Sequence, residues 1–297
     1  MKKFILIAAL LALALPGFSL FRAGDIVFIL AAANAPGGGG TYWNTDVWVT
    51  NPNAVAVKLT IEYLPSGLAG NAANRIYIDW PDPIAPGQTL YIPEIVKNHF
   101  SAYGAAGAIV LYGEYADGAV ANIIATSRTY TPKDTANLAL GNYGQGIPGT
   151  PWYYYIDPAY AAEKYDAHWL FGLDQSDLSN TDKYRTNVGF VNGSQDCTLD
   201  LKLELFDSTG AKVGESAVNG LGPLAHFQIG GILAANFGIS EGSNYSMKVS
   251  IASSTPANPV FPPALFVYGS KVSNGTGDPT YIEATYSVPI NYPCLWP

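Results

Sequence analysis

The sequence is poor in charge, and poorest in positive charge. Only 13% of its 297 residues are Asp, Glu, Lys or Arg, with 15 Lys and Arg set against 23 Asp and Glu. No cluster of Lys and Arg occurs anywhere in it. A surface that binds nucleic acid or anionic lipid must turn cations toward phosphates. A chain of net charge −8 argues against both partners. Histidine is scarce too: His99, His168 and His226 stand far apart, none with a ligand or catalytic residue at motif spacing. They read as surface or edge residues. HExxH is missing, and the GxSxG match at 238–242 leads into a strand pattern instead of a helix, so the zinc-peptidase and nucleophile-elbow signatures are absent. The two cysteines, Cys197 and Cys294, are too distant for a CxxC redox pair. The glycine run at 37–40 precedes a strand pattern, not a helix, and so lacks the helix N-terminus that cradles phosphate. It reads as a flexible loop. These absences predict a non-enzymatic chain without a cofactor, a hydrolase being the remote alternative.

What is present begins with Lys2 and Lys3, an apolar run over residues 4–15, Pro16, and small residues at Gly17 and Ser19. That is the charged region, apolar core and small-residue site of a secretory signal, with cleavage expected after Ser19. The run is shorter than the roughly 18–20 residues a membrane-spanning helix needs. No later apolar run offers a C-terminal anchor. The expected product is secreted, periplasmic or extracellular, and free of the membrane once the signal is removed. In such an oxidising space Cys197 and Cys294 are expected to pair. The alternative is a buried, unbonded Cys197, because Val55 stands at the matching place in the first half.

Tyr (20), Gly (31) and Pro (21) are abundant, a composition that suits short strands joined by turns. The stretch TDVWVTNPN (45–53) returns as TNVGFVNGS (186–194). After the first comes VAVKLTIEY (55–63), with Val55, Val57, Leu59, Ile61 and Tyr63 on one face and Lys58, Thr60 and Glu62 on the other. After the second comes CTLDLKLELF (197–206), with the same period of two. Such alternation marks strands with one face in a core and one in water. The match continues from 83–100 to 220–237, where a short strand runs into one or two helical turns, and IVFIL (26–30) corresponds to WLFGL (169–173). About seven strands per copy predict two tandem immunoglobulin-like antiparallel β-sandwiches, each with a short helical turn. The boundaries read as 1–19 signal, 20–149 first sandwich, 150–165 aromatic linker and 166–297 second sandwich.

The ordered set TYWNTDVWVTNP (41–52), SRTYT (127–131), YGQGIP (143–148), YRTNVGFVN (184–192) and GDPTYI (277–282) resembles a group of exported bacterial proteins built from tandem β-sandwich repeats. That group has no assigned activity. The resemblance spans nearly all of the chain after the signal and implies secretion and a modular, non-catalytic role. It carries no site residues. The second copy departs from the pattern, with NGSQD in place of NPNA and no YGQ.

Candidate binding residues are therefore sought among the aromatics. Trp152, Tyr153, Tyr154 and Tyr155 open the linker. Exposed, they form a platform for sugar rings; buried, they pack between the sandwiches, which is the favoured reading for so apolar a linker. Trp48 is a second candidate, lying opposite Val47 and Val49. Trp169 is grouped with Phe171 and Leu173 on a core face. Asp174, Asp177 and Asp182 are the best carboxylate cluster and a weak calcium candidate, their spacing matching no EF-hand loop. The reading is an exported structural or interaction protein of surface, matrix or appendage, with protein partners or self-assembly. The alternative is a carbohydrate-binding module that takes polysaccharide on exposed aromatics.

Overall fold

The structure is a computed structural model and describes residues 22–134, 136–155, 167–256 and 260–286. The expected cleavage site, linker residues 156–165 and Cys294 lie outside these residues, and with them the proposed Cys197–Cys294 pairing.

The chain is all-β. Its first half runs β1 (Ala23–Gly24), β2 (Ile26–Pro36), β3 (Tyr42–Thr50), β4 (Lys58–Pro65), β5 (Ile76–Asp79) and β6 (Thr89–Ile92). Then come α1 (Ile95–Asn98), β7 (Ala105–Glu114), β8 (Ile123–Pro132), β9 (Asn142–Pro148) and β10 (Thr150–Pro151). The second half runs β11 (His168–Gln175), β12 (Tyr184–Asn192), β13 (Thr198–Phe206), β14 (Lys212–Leu221) and β15 (His226–Ile229). It ends with α2 (Ile232–Phe237), β16 (Gly242–Thr255), β17 (Leu265–Ser273), β18 (Pro279–Glu283) and β19 (Thr285–Tyr286).

The ladders are antiparallel. In the first half they connect β5-β4-β7-β2-β10 and β6-β3-β8-β9, the two series meeting where β2 pairs β3. In the second half the orders are β14-β13-β16-β11-β19 and β15-β12-β17-β18. Strand for strand the orders correspond, and α1 and α2 occupy the same place, between β6 and β7 and between β15 and β16.

Three apolar cores separate four sheet layers. Val27, Ile29, Ile61, Ile109 and Ile123 belong to the first, and Leu170, Val188, Leu203, Met247 and Val267 to the second. The third joins the halves: Phe28, Leu30, Leu64 and Val110 from β2, β4 and β7 meet Val191, Phe266 and Tyr268 from β12 and β17. Because β2 and β7 are buried on both faces, they are written as continuous apolar runs. β13 has water on one side and alternates from end to end.

This seam overturns one expectation. Glu62, assigned by alternation to a water-facing side, is fully buried. The outer face of its sheet is covered, and Arg75 Nε and Nη2 donate to its two oxygens at 2.7 Å each. A backbone clasp closes one edge of the seam. Gly67 N donates to His226 O at 2.7 Å, Asn71 N to Pro223 O at 2.9 Å, and Gly222 N to Leu68 O at 2.7 Å. A Cβ on Gly70 would lie 2.3 Å from Pro223 O, and one on Gly222 would lie 2.4 Å from Ala69 O. The main chains touch there, and only residues without a side chain allow it.

Two details of β11 also differ from expectation. Val27 pairs Leu111, which pairs Ile61, whereas His168 pairs Val249, which pairs Leu203. The ladders thus set Val27 against His168, two residues out of the sequence match of IVFIL with WLFGL. Trp169 and Phe171 stand on the outer face, not in a core with Leu173. The cause is a register shift between Leu170 and Leu173, where Gly172 adopts φ +69°. That extra residue turns Leu173 inward after Leu170 and leaves Phe171 53% exposed. A β-bulge of this kind is invisible to strict alternation.

His168 and His226, expected at the surface, are buried. Nε2 of His168 bonds Leu265 O and Nε2 of His226 bonds the Tyr268 hydroxyl, each at 3.0 Å. Burial pushes both rings down to about 4. Unfolded histidine takes up its proton near pH 6.5, so the unfolded state binds more protons between pH 6.5 and 4. Stability is complete above that window and falls as pH falls through it, by up to about 3 kcal/mol per ring. Urea midpoints between pH 6.5 and 4.5 should therefore drop steeply, and less steeply in His168→Gln/His226→Gln. An equal slope in that variant would remove the histidines as the cause.

Candidate functional site

The outer face of β15-β12-β17-β18 changes character along its strands. On β12 the outward positions read Arg185, Asn187, Gly189, Val191, passing from charged to apolar. Across the ladder they oppose Val272, Ser270, Tyr268 and Phe266. The Val191–Phe266 end is sealed by the seam, with Phe266 and Phe28 rings 4.5 Å apart. Toward the other end the β2–β3 hairpin and β9 border the face and leave a cleft of about 330 Å³. Gly37, Trp43 and Gln145 line it from the first half, and Arg185, Asn187, Gln228 and Ser270 from the second.

Glycines shape this cleft. A Cβ on Gly189 would fall 2.1 Å from the Tyr268 ring, so the ring lies directly over bare backbone. A Cβ on Gly37 would fall 2.2 Å from Trp43 Nε1. The glycine run expected as a flexible loop is thus a wall of the cleft, with a 3-10 turn over Gly38–Gly40.

The polar groups are hydrogen-bonded within the wall of the cleft. Tyr268 OH donates to Gln228 Oε1 at 2.8 Å and sits 3.0 Å from His226 Nε2. Gly231 N donates to Asn187 Oδ1 at 3.0 Å. Ser270 Oγ donates to Gln145 Oε1 at 3.1 Å, linking the halves. Arg185 Nη1 donates to Asn274 Oδ1 at 2.9 Å, and desolvation lowers the pKa of this half-buried guanidinium from its ordinary value. No carboxylate among the described residues forms an ion pair with it. Nothing in the sequence singled out Arg185, Asn187, Gln145 or Gln228. The readable signal was the gradient along YRTNVGFVN, whose meaning depends on which sheet face is covered.

The aromatic candidates lie elsewhere and do not form one platform. Trp48 stacks on Tyr91 at 5.1 Å, on the outer face of β6-β3-β8-β9, and Tyr91 OH donates to Asp46 at 2.9 Å. Trp152 Nε1 donates to Asp25 at 2.8 Å and Tyr153 OH to Ala23 O at 2.7 Å, so their polar tips are anchored while the rings stay 40% and 46% exposed. Tyr154 and Tyr155 pack against the third core. Among the described residues the interface favoured for the linker is made mainly by strand residues, with these two rings at its border.

The three aspartates are not brought together. Asp174 Oδ2 pairs with Lys271 Nζ at 2.5 Å, Asp177 Oδ1 accepts Ser179 N at 2.8 Å, and Asp182 is exposed. Among the described residues no three His, Cys, Asp or Glu side chains converge on a metal position. Cys197 is buried in the second core.

No family model matches the chain, and no curated protein matches it. Among solved structures it aligns with the lectin from Pleurotus ostreatus in complex with GalNAc, at 10% identity over 92% of this chain and 89% of that one. The TM-score of that alignment is 0.13, too low to carry an argument about fold or ligand.

Proposed function

We propose that the chain is a tandem pair of immunoglobulin-like sandwiches, exported and non-catalytic, serving as a structural or interaction protein that associates head to tail. The observation that carries this reading is the seam, because the two ends of the sheet stack are the counterparts of the two faces it buries. At one end Trp169 and Phe171 stand where the first half has Phe28 and Leu30, judged by their ladders. At the other end Trp48 and Tyr91 form the pair that Gly189 and Gln228 form in the second half. Both ends keep aromatic surface in water, with Phe171 53% and Tyr91 50% exposed. Two different faces that fit each other make a heterologous contact, which propagates instead of closing.

The mature chain should show species heavier than a monomer in sedimentation velocity, growing with concentration. Phe171→Glu spoils one end and Tyr91→Glu the other, and each should be monomeric alone. Their mixture retains one intact pair of ends and should stop at a dimer. A monomer at every concentration, or wild-type assembly by both variants, would overturn the reading.

A second reading, a carbohydrate-binding protein, rests on the half-exposed, anchored rings of Trp152 and Tyr153. Retention of the monomeric variants on insoluble polysaccharide is its readout.

A further inference from the structure

We infer that the seam cleft binds a small carboxylate-bearing sugar, a hexuronate, with Arg185 as its anion contact. The inference is independent of head-to-tail association.

It starts from charge. The chain holds 23 acidic residues, yet no Asp or Glu lines this cleft. Arg185 lines it, half-buried and without a carboxylate partner among the described residues. A guanidinium kept partly from water and left unpaired is a standing site for an anion, and a carboxylate matches its fork of donors.

The neutral groups have the same polarity. Asn187, Gln228 and Gln145 each commit their amide oxygen to a protein donor. The donor to Asn187 is a backbone N–H, which fixes that amide's orientation, while Gln228 and Gln145 bond the Tyr268 and Ser270 hydroxyls. All three NH₂ groups, and the Trp43 indole N–H, have no acceptor among the described residues. Arg185, Asn187 and Trp43 therefore turn free donors toward the cleft, and a ligand rich in acceptors matches them. A carboxylate together with ring and hydroxyl oxygens supplies that pattern. The Trp43 ring offers an apolar wall of the kind on which a pyranose face rests, and about 330 Å³ admits one or two sugar rings but not a long chain.

The test is calorimetric titration of the mature chain with sodium glucuronate, run beside glucose, sodium acetate and sodium sulfate. Saturable binding of glucuronate is expected, at least about tenfold tighter than any of the other three. Arg185→Gln should weaken it by about tenfold or more, since a charge-assisted bond becomes a neutral one. Gln145→Glu keeps the oxygen that accepts from Ser270 and replaces the free NH₂ with a negative oxygen. It should abolish binding while the melting temperature holds, so that lost binding is not read as lost fold. Glucose bound as tightly as glucuronate overturns the anion assignment. Acetate or sulfate bound as tightly overturns the sugar. No saturable heat, or binding unchanged in both folded variants, overturns the site.

Discussion

Replacing Arg75 by Ala should reduce the free energy of unfolding by about 3–5 kcal/mol, the range for removing one partner of a buried ion pair. Arg75 looks dispensable, since its side chain is 34% exposed, but its partner Glu62 has no exposure at all. Both carboxylate oxygens take a guanidinium N–H at 2.7 Å, and the Tyr112 hydroxyl adds a third bond at 2.6 Å. Without Arg75 a carboxylate remains beside an apolar seam with one hydroxyl for company. Removing the charge as well, in Arg75→Ala/Glu62→Gln, should recover much of the loss. Urea unfolding at pH 7 measures both variants. A loss below about 1 kcal/mol in Arg75→Ala, the level of an exposed pair, would mean that water reaches Glu62 freely.

Phe266→Ala should be as damaging, at about 3–5 kcal/mol for an aromatic deleted from a packed site. Phe266 is 1% exposed, in contact with Phe28 across the seam at 4.5 Å. The informative quantity is the coupling. Phe28→Ala and Phe266→Ala lie in different halves, and their combined effect should depart from the sum by about 0.5–1.5 kcal/mol, as for other aromatic pairs in contact. Additive losses would show that the halves fold without feeling each other, and the seam would lose its standing as a core. For the same reason the second half alone would expose Val191, Phe266 and Tyr268, surface that the intact chain hides.

Much of the fold was legible because strands in contact with water declare themselves by alternation, as β13 does, and because the repeat pairs equivalent strands, although it set β2 against β11 two residues out of register. The seam was only half legible. Continuous apolar runs in β2 and β7 do signal burial on both faces, but period-two reading treated one face of β4 as wet and so misplaced Glu62. Trp169 was misplaced by a single inserted residue, since a bulge reverses every inside–outside assignment beyond it. His168 and His226 look like surface residues by type, and only the layers above them make them interior. Of the cleft, the gradient along YRTNVGFVN was the one legible trace. The cleft's residues come from β2, β3, β7, β8, β9, β12, β15, β17 and β18, and what unites them is a set of unused hydrogen-bond donors, a property of three-dimensional placement.

The clasp at the seam has a consequence for how this sequence can drift. Its bonds run from main chain to main chain, through Gly67, Asn71 and Gly222 to His226, Pro223 and Leu68. Side chains at positions such as Leu68 and Ala69 can be exchanged without touching those bonds. Gly70 and Gly222 cannot, because any β-carbon there would strike a carbonyl oxygen of the opposite half. The alliance between the two halves is thus guarded by two positions that contribute no chemistry of their own. Lineages that keep the halves together should hold those two glycines long after the aromatic faces have changed.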